Sequence, residues 1–163
     1  MAHAWVYGDN IDTDVLAPGA YMKFGIEEIA RHCMEAVDPE FAGRVRPGDV
    51  VIGGRNFGMG SSREQAAQAL THLGVAAVIA PSFGGIFYRN ALNLGLVVLE
   101  CRDAGRVRAG DNVEFDARRG SVLNRSSGER FPCVPIPDHL LDMVEAGGLM
   151  PFLMRRRRGT ERK

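Results

Sequence analysis

With 163 residues, 45% of them hydrophobic, the chain has enough apolar surface for one proper core, and two independent domains would each fall short. Twenty basic and twenty acidic residues cancel to a formal net charge of zero, so no global field favours nucleic acid or an acidic membrane as partner. The three cysteines, Cys33, Cys101 and Cys133, are far apart and lack CxxC spacing, which excludes a metal site or disulfide framework built from them alone. No apolar run reaches the roughly 20 residues that span a bilayer, and the N-terminal MAHAWVYGDN has no basic region followed by an apolar one, so the expectation is a reduced, soluble, cytoplasmic protein.

Ala4 to Tyr7 reads as a short strand that runs into Gly8-Asp9-Asn10-Ile11-Asp12-Thr13-Asp14. The three aspartates resemble the opening of a calcium loop, but the glycine and distal glutamate that an EF-hand requires are missing. Asp and Asn in such loops commonly cap their own turns; Asp12 and Asp14 are also candidates for orienting something charged. After the Pro18-Gly19 turn, Lys23 is a lone cation between Met22 and Phe24, either solvated or reaching a pocket rim. Ile26, Ile29, Ala30, Cys33 and Met34 recur at three and four, which predicts an amphipathic helix over 26–37, ended by Asp38-Pro39.

A buried strand over 49–52 delivers the chain to Gly53 through Leu70, GGRNFGMGSSREQAAQAL. Gly58 and Gly60 allow positive φ and close approach of a ligand, Ser61 and Ser62 offer hydroxyls, and Arg63 offers a planar fork for a carboxylate or phosphate. The free N–H groups of a helix start add to an anion site. The plainer reading is a glycine turn and a capping box, with Ser61 as N-cap, Glu64 three residues on and the helix starting near Ser62; the two readings are compatible. Asn56 lies in the same loop. VAAVIA over 75–80 predicts a fully buried strand, and Pro81 to Gly95, PSFGGIFYRNALNLG, again places glycines before a helix. There Phe87 and Tyr88 read as core, while Arg89 and Asn90 interrupt an apolar surface. LVVL over 96–99 is a further strand. If these strands are parallel, both glycine loops lie at one sheet edge, where open α/β sheets bind ligands.

Beyond Gly105, apolar residues alternate with charged ones at Val113-Glu114-Phe115, Val122-Leu123 and Phe131, predicting short antiparallel strands with a hairpin at Ser126 to Gly128. Asp138 is expected to cap a last helix through Glu145, closed by Gly147-Gly148, with His139 capping or packing. Met150 to Met154 reads as an apolar tag that docks on the domain or on another subunit. Residues 1–154 then make the domain, and Arg155 to Arg158 with Arg162 and Lys163 make a basic tail over 155–163, expected to be solvated and disordered although such a run also suits RNA or lipid headgroups.

Three segments in the same order, GDNIDTD (8–14), RNFGMGSSRE (55–64) and SFGGIFYRN (82–90) with Leu94-Gly95, closely resemble the small subunits of the isopropylmalate dehydratase and homoaconitase family, which correspond to the swivelling C-terminal domain of aconitase. The resemblance implies an α/β fold, a swivelling β/β/α domain of the aconitase C-terminal type. It implies a hydro-lyase that moves a hydroxyl between adjacent carbons of a malate-like acid, active only with a large subunit that carries a 4Fe–4S cluster, so no metal is expected on this chain. Carried onto the matching positions, Ser61 is the general base, Ser62 a hydrogen-bonding neighbour and Arg63 the carboxylate clamp. Lys23 falls in the substrate-selecting loop after Tyr21, and Asp12, Asp14, Asn56, Glu64 and Arg89 lie behind the site or at the subunit interface. The family commonly has Cys where Met59 stands, His where Gln65 stands, and SFAD for SFGG. The resemblance favours 3-isopropylmalate as substrate, with homoaconitate, citrate-like or dimethylmalate-type acids as alternatives that a cation at Lys23 keeps open. A reading from another class is a non-catalytic anion- or RNA-binding module using the same helix start.

Overall fold

The computed structural model describes residues 2–161. Strands β1 (Ala4–Val6), β2 (Val50–Ile52), β3 (Ala77–Ala80) and β4 (Val97–Glu100) form a parallel sheet in the order β1-β2-β3-β4. Every residue of β2 and β3 is buried, as a parallel strand covered on both faces requires, and this is why VVI and AVIA are unbroken apolar runs. Helix α4 (Glu64–His72) crosses from β2 to β3 and α5 (Gly85–Asn93) from β3 to β4. The small residues Ala66, Ala67 and Ala69 bring α4 close to its neighbours, with Leu70 filling the remaining space. Between β1 and β2 run three short helices, α1 (Thr13–Leu16), α2 (Ile26–Arg31) and α3 (Phe41–Arg44).

The antiparallel strands β5 (Val113–Asp116), β6 (Ser121–Asn124) and β7 (Arg130–Pro132) form a second sheet, with the expected hairpin at 125–129. Its inward residues Val113, Val122 and Phe131 join the same core as the parallel sheet. Helices α6 (Asp138–Glu145) and α7 (Leu149–Glu161) follow. The α/β class with a separate antiparallel layer is therefore as the sequence indicates. Among the described residues, no helix is long and apolar enough to cross a membrane.

Several local expectations are corrected. The helix predicted over 26–37 stops at Arg31, because the N–H of Met34 turns away to donate to the carbonyl of Val15 at 2.9 Å and Met34 takes a φ of +68°. Cys33 and Met34 still reach full burial, so the apolar spacing reported burial and not helix. Asp138 is not a cap: Pro137 holds that position, and Asp138 in the first turn of α6 pairs with Arg118. The helix over 138–145 is not the last one, since α7 takes up both the apolar tag and Arg155 to Arg158, which were expected as a disordered tail. Only Phe152 of that tag packs on the core, leaving Met150, Leu153 and Met154 exposed; Arg162 and Lys163 lie outside the described residues. Cys101 and Cys133, distant in sequence, are brought together because the N–H of Val134 donates to Glu100 O at 2.9 Å, and the Cys101 thiol donates to Pro132 O at 3.6 Å.

Candidate active site

Parallel pairing of β2 with β3 carries the loops that follow them to one sheet edge, and the β1 loop joins them there. The backbone knits the three loops together. Asn10 N donates to Arg55 O at 2.8 Å, Gly58 N to Ile11 O at 2.6 Å and Thr13 N to Met59 O at 2.9 Å, tying the aspartate loop to the glycine loop. Phe57 N donates to Ser82 O at 3.1 Å and Gly84 N to Phe57 O at 2.8 Å, tying the glycine loop to the next. The Ser82 hydroxyl accepts from Asn56 N at 2.8 Å, and Asn56 Nδ2 donates to Asn10 Oδ1 at 3.1 Å. Asn56 is thus placed as a brace at the centre of the cluster, in the left-handed region at φ +61°, which asparagine tolerates better than most residues.

Gly58 and Gly60 are required by this packing. Gly58 has φ +78°, and a Cβ there would fall 2.2 Å from Phe87 Cγ; Gly60 has φ +117°, and a Cβ there would fall 2.9 Å from Thr13 Oγ1. The chain turns so tightly after Gly60 that Arg63 N donates to Ser61 O at 2.8 Å. As a result α4 begins at Glu64 with Arg63 in the N-cap position, and no side chain caps it. The Ser61–Glu64 capping box is therefore not formed. Ser61 and Ser62 instead stand exposed just ahead of the helix, on its N–H-rich end, where an anion is favoured.

Arg63 is the best-fixed side chain of the loop. Its Nη1 donates to Asp14 Oδ1 at 2.8 Å and to Ala17 O at 3.0 Å. The same Asp14 oxygen accepts Gly19 N at 3.0 Å, so one carboxylate joins the start of α4 to the loop that carries Lys23. The Arg63 hydrogen bond, followed by that from Gly19, holds the Asp14 carboxyl below the usual carboxylate range. Nη1 thus serves the protein and fixes the guanidinium beside the start of α4. Asp12 caps α1 by accepting Val15 N at 2.9 Å, the plain turn-capping role. Among the described residues there is no group of three or more His, Cys, Asp or Glu side chains that would hold a metal ion.

Lys23 is exposed, with its Nζ 5.4 Å from the centroid of the Phe24 ring. Glu64 and Arg89 are also exposed, one at the first turn of α4 and the other one turn into α5, and neither is bound into the loop cluster. Phe87 is core as expected, in edge contact with Phe57 at a centroid distance of 5.5 Å. Sequence reasoning missed Asn10 and the Ser82 hydroxyl, which act across tens of residues, and the shorter-range stack of Tyr21 on His32; the residue types alone gave no signal for them.

Against this geometry the comparisons are specific. Residues 23–104 match the family model described as the aconitase C-terminal domain, which takes in Lys23, the glycine loop, α4 and α5. Over 153 residues, 93% of this chain and 95% of the relative, the chain is 48% identical to 3-isopropylmalate dehydratase small subunit 1 of Archaeoglobus fulgidus. The chain belongs to the family of aconitase C-terminal domains. Within that family it is also 49% identical to the methanogen homoaconitase small subunit of Methanothermobacter thermautotrophicus, over 90% of this chain and 85% of that one. The crystal structure of a 3-isopropylmalate dehydratase chain from Methanocaldococcus jannaschii matches with a TM-score of 0.93 at 37% identity, covering 99% of this chain and 96% of that one. The likeness to that structure thus extends over the whole chain, including the second sheet and the terminal helices outside the family model.

Proposed function

We propose that the chain is the small subunit of a heteromeric hydro-lyase that isomerises 3-isopropylmalate by dehydration and rehydration, together with a large subunit. The observation that carries this reading is the turn at the start of α4 that sets exposed Ser61 and Ser62 beside half-buried Arg63, braced by three loops in a chain of this family. In the proposed reaction Arg63 binds a substrate carboxylate with the donors that Asp14 and Ala17 leave available. Ser61, as an alkoxide, takes the proton from the carbon beside that carboxylate and returns it in the reverse sense on rehydration. A serine hydroxyl ionises with difficulty in water, so the helix N-terminus and the Arg63 charge are what lower its pKa, and Ser62 adds a hydrogen-bond donor. Donors fixed before the reaction stabilise the charge that develops on the substrate without reorganising.

The reading further assigns a 4Fe–4S cluster to the large subunit, and this chain's described residues do not provide a site for it. Support for a covering partner comes from the apolar rim: Met59 and Ile86 are 47% and 46% exposed beside loops that are otherwise tightly packed. Residues 1–154 would act as one swivelling unit over the partner, in the cytoplasm. Asp14 acts through Arg63, Asn56 holds the loops, Asp12 fixes α1, and Glu64 and Arg89 are available to the partner.

One observation favours a second substrate, since exposed Lys23 is suited to an acid with an additional carboxylate, as a homoaconitase small subunit would meet. The test is to purify the chain with its large subunit, reconstitute the cluster anaerobically, and assay isopropylmalate, homocitrate and dimethylmalate in parallel. Turnover of isopropylmalate alone supports the main reading, and preference for homocitrate replaces it with the second. Anion binding by the isolated chain that survives Ser61→Ala, with no turnover of any acid in the complex, would instead support a non-catalytic binding module.

A further inference from the structure

The loop over 18–25 leaves the site at Gly19, passes through a single helical turn at Gly19–Tyr21, and rejoins the fold at α2. Its backbone is held only by short-range bonds, Tyr21 N to Pro18 O at 3.0 Å, Met22 N to Gly19 O at 3.3 Å and Phe24 N to Tyr21 O at 2.9 Å. Lys23, Phe24 and Gly25 are exposed. Tyr21 and Met22 pack half-buried against the core, and two further contacts fix the loop from outside. At one end stands Asp14, bonded to Gly19 and Arg63. Midway along it, the Tyr21 ring lies flat on the imidazole of His32, with centroids 3.6 Å apart and an interplanar angle of 2°.

The imidazole is itself clamped. His32 Nδ1 lies 2.6 Å from Glu35 Oε2 and Nε2 lies 3.1 Å from Glu28 Oε1, so both ring nitrogens are engaged by carboxylates and the ring plane is set. Arg31 further holds Glu28 through its other oxygen at 3.3 Å. An imidazole hydrogen-bonded at both nitrogens and presented face-on to a phenol ring gains stacking, with cation–π attraction added when the ring is protonated. His32 sits, three-quarters covered, at the C-terminal end of a six-residue helix, above a core completed by Ile29, Ala30, Cys33 and Met34.

We propose that His32 is a positioning residue for substrate recognition: through its stack on Tyr21 it sets the conformation of residues 18–25 and so the place of Lys23. The inference rests on the reading of Lys23 as a contact to the variable part of the substrate. His32 does not touch the substrate. It acts through Tyr21, two residues before the lysine, and the Glu28 and Glu35 carboxylates keep its ring in the orientation that the stack requires.

The test uses the reconstituted complex with its large subunit and the variants His32→Gln, Tyr21→Leu and Lys23→Ala. Amide hydrogen exchange over 18–25 is measured together with kcat and KM for isopropylmalate. Loss of one stacked pair is expected to speed exchange of the Tyr21, Met22 and Phe24 amides about fivefold in both His32→Gln and Tyr21→Leu, with the parallel sheet unchanged. KM is expected to rise by a similar factor while kcat stays within about twofold, because Ser61 and Arg63 are undisturbed. Unchanged exchange over 18–25 in both variants overturns the inference, as does a loss confined to kcat. Faster exchange with unchanged KM overturns the recognition role; in that case Lys23→Ala tells which premise failed, since an equally unchanged KM there removes Lys23 from the substrate and leaves the loop-setting role of His32 standing by the exchange data.

Discussion

Gly58→Ala is the sharpest single test of how the glycine loop is built. The added Cβ falls 2.2 Å from Phe87 Cγ and 2.5 Å from its Cβ, in a residue that is 2% exposed and cannot swing into solvent. Two costs add. Holding a non-glycine residue at φ +78° costs about 1 kcal/mol, and forcing a methyl into a packed aromatic group costs about 1–3 kcal/mol more. The sum of about 2–4 kcal/mol corresponds to a fall in Tm of roughly 4–16 °C for a chain of this size. Gly43→Ala is the control: it lies inside α3 with nothing within 4 Å of a Cβ, so alanine there is expected to stabilise by about 0.5–1 kcal/mol. Urea unfolding of the isolated chain with both variants measures the difference directly. The clash also predicts coupling, since Phe87→Leu should recover part of the Gly58→Ala loss in a double-mutant cycle. A Gly58→Ala midpoint indistinguishable from the parent would refute the claim that the loop is pinned on Phe87, and with it the rigidity assigned to Ser61.

Ser61→Ala in the complex should lower kcat by about 10²–10⁴-fold, the span of a lost general base, while equilibrium binding of isopropylmalate stays largely intact; unchanged turnover removes Ser61 as the base. Asp14→Asn should raise KM by releasing Arg63 and Gly19, yet change stability by less than about 1 kcal/mol, because the Asp14 carboxylate is exposed; a large fall in urea midpoint would contradict this. The Asp14 carboxyl is held below its ordinary value of 3.8, so the stabilisation from this pair is fully present above that pH and is lost as pH falls through the folded-state value; Asp14→Asn should narrow its gap to the parent in acid. Burial makes Asp49 a different case, because it accepts Trp5 Nε1 at 3.0 Å, Arg46 N at 2.9 Å and His3 N at 3.3 Å, and Asp49→Ala is expected to cost about 2–4 kcal/mol by orphaning those donors. Hydrogen bonding to Glu35, and then Glu28, raises the His32 pKa above 6.5 against the opposing effect of burial. Its stabilisation is therefore full below 6.5 and fades as pH rises through the folded-state value, so urea midpoints at pH 6 and pH 9 should differ more in the parent than in His32→Gln.

The sequence alone determined the elements whose chemistry is local and one-sided. Unbroken apolar runs such as AVIA specify strands covered on both faces, alternation such as VEFD specifies strands with one wet face, and glycine before a small-residue helix specifies a tight, ligand-accessible turn. Three short motifs in order carried the family, and that reading agreed with relatives that match over most of the chain. Where local pattern was ambiguous, it failed in ways that tertiary contacts explain. The three-and-four spacing of Ile26 to Met34 recorded burial, but the chain satisfied it with a turn because Val15 O, nineteen residues earlier, took the Met34 N–H. Ser61 and Glu64 have the spacing of a capping box, but the bond from Arg63 N to Ser61 O moved the helix start beyond them. Only the folded chain decides that Asp14 is the partner of Arg63, that Ser82 braces Asn56, and that His32 lies under Tyr21. The first two depend on parallel strand pairing to bring remote loops to one edge, and the third on the turn that follows α2 within one connection.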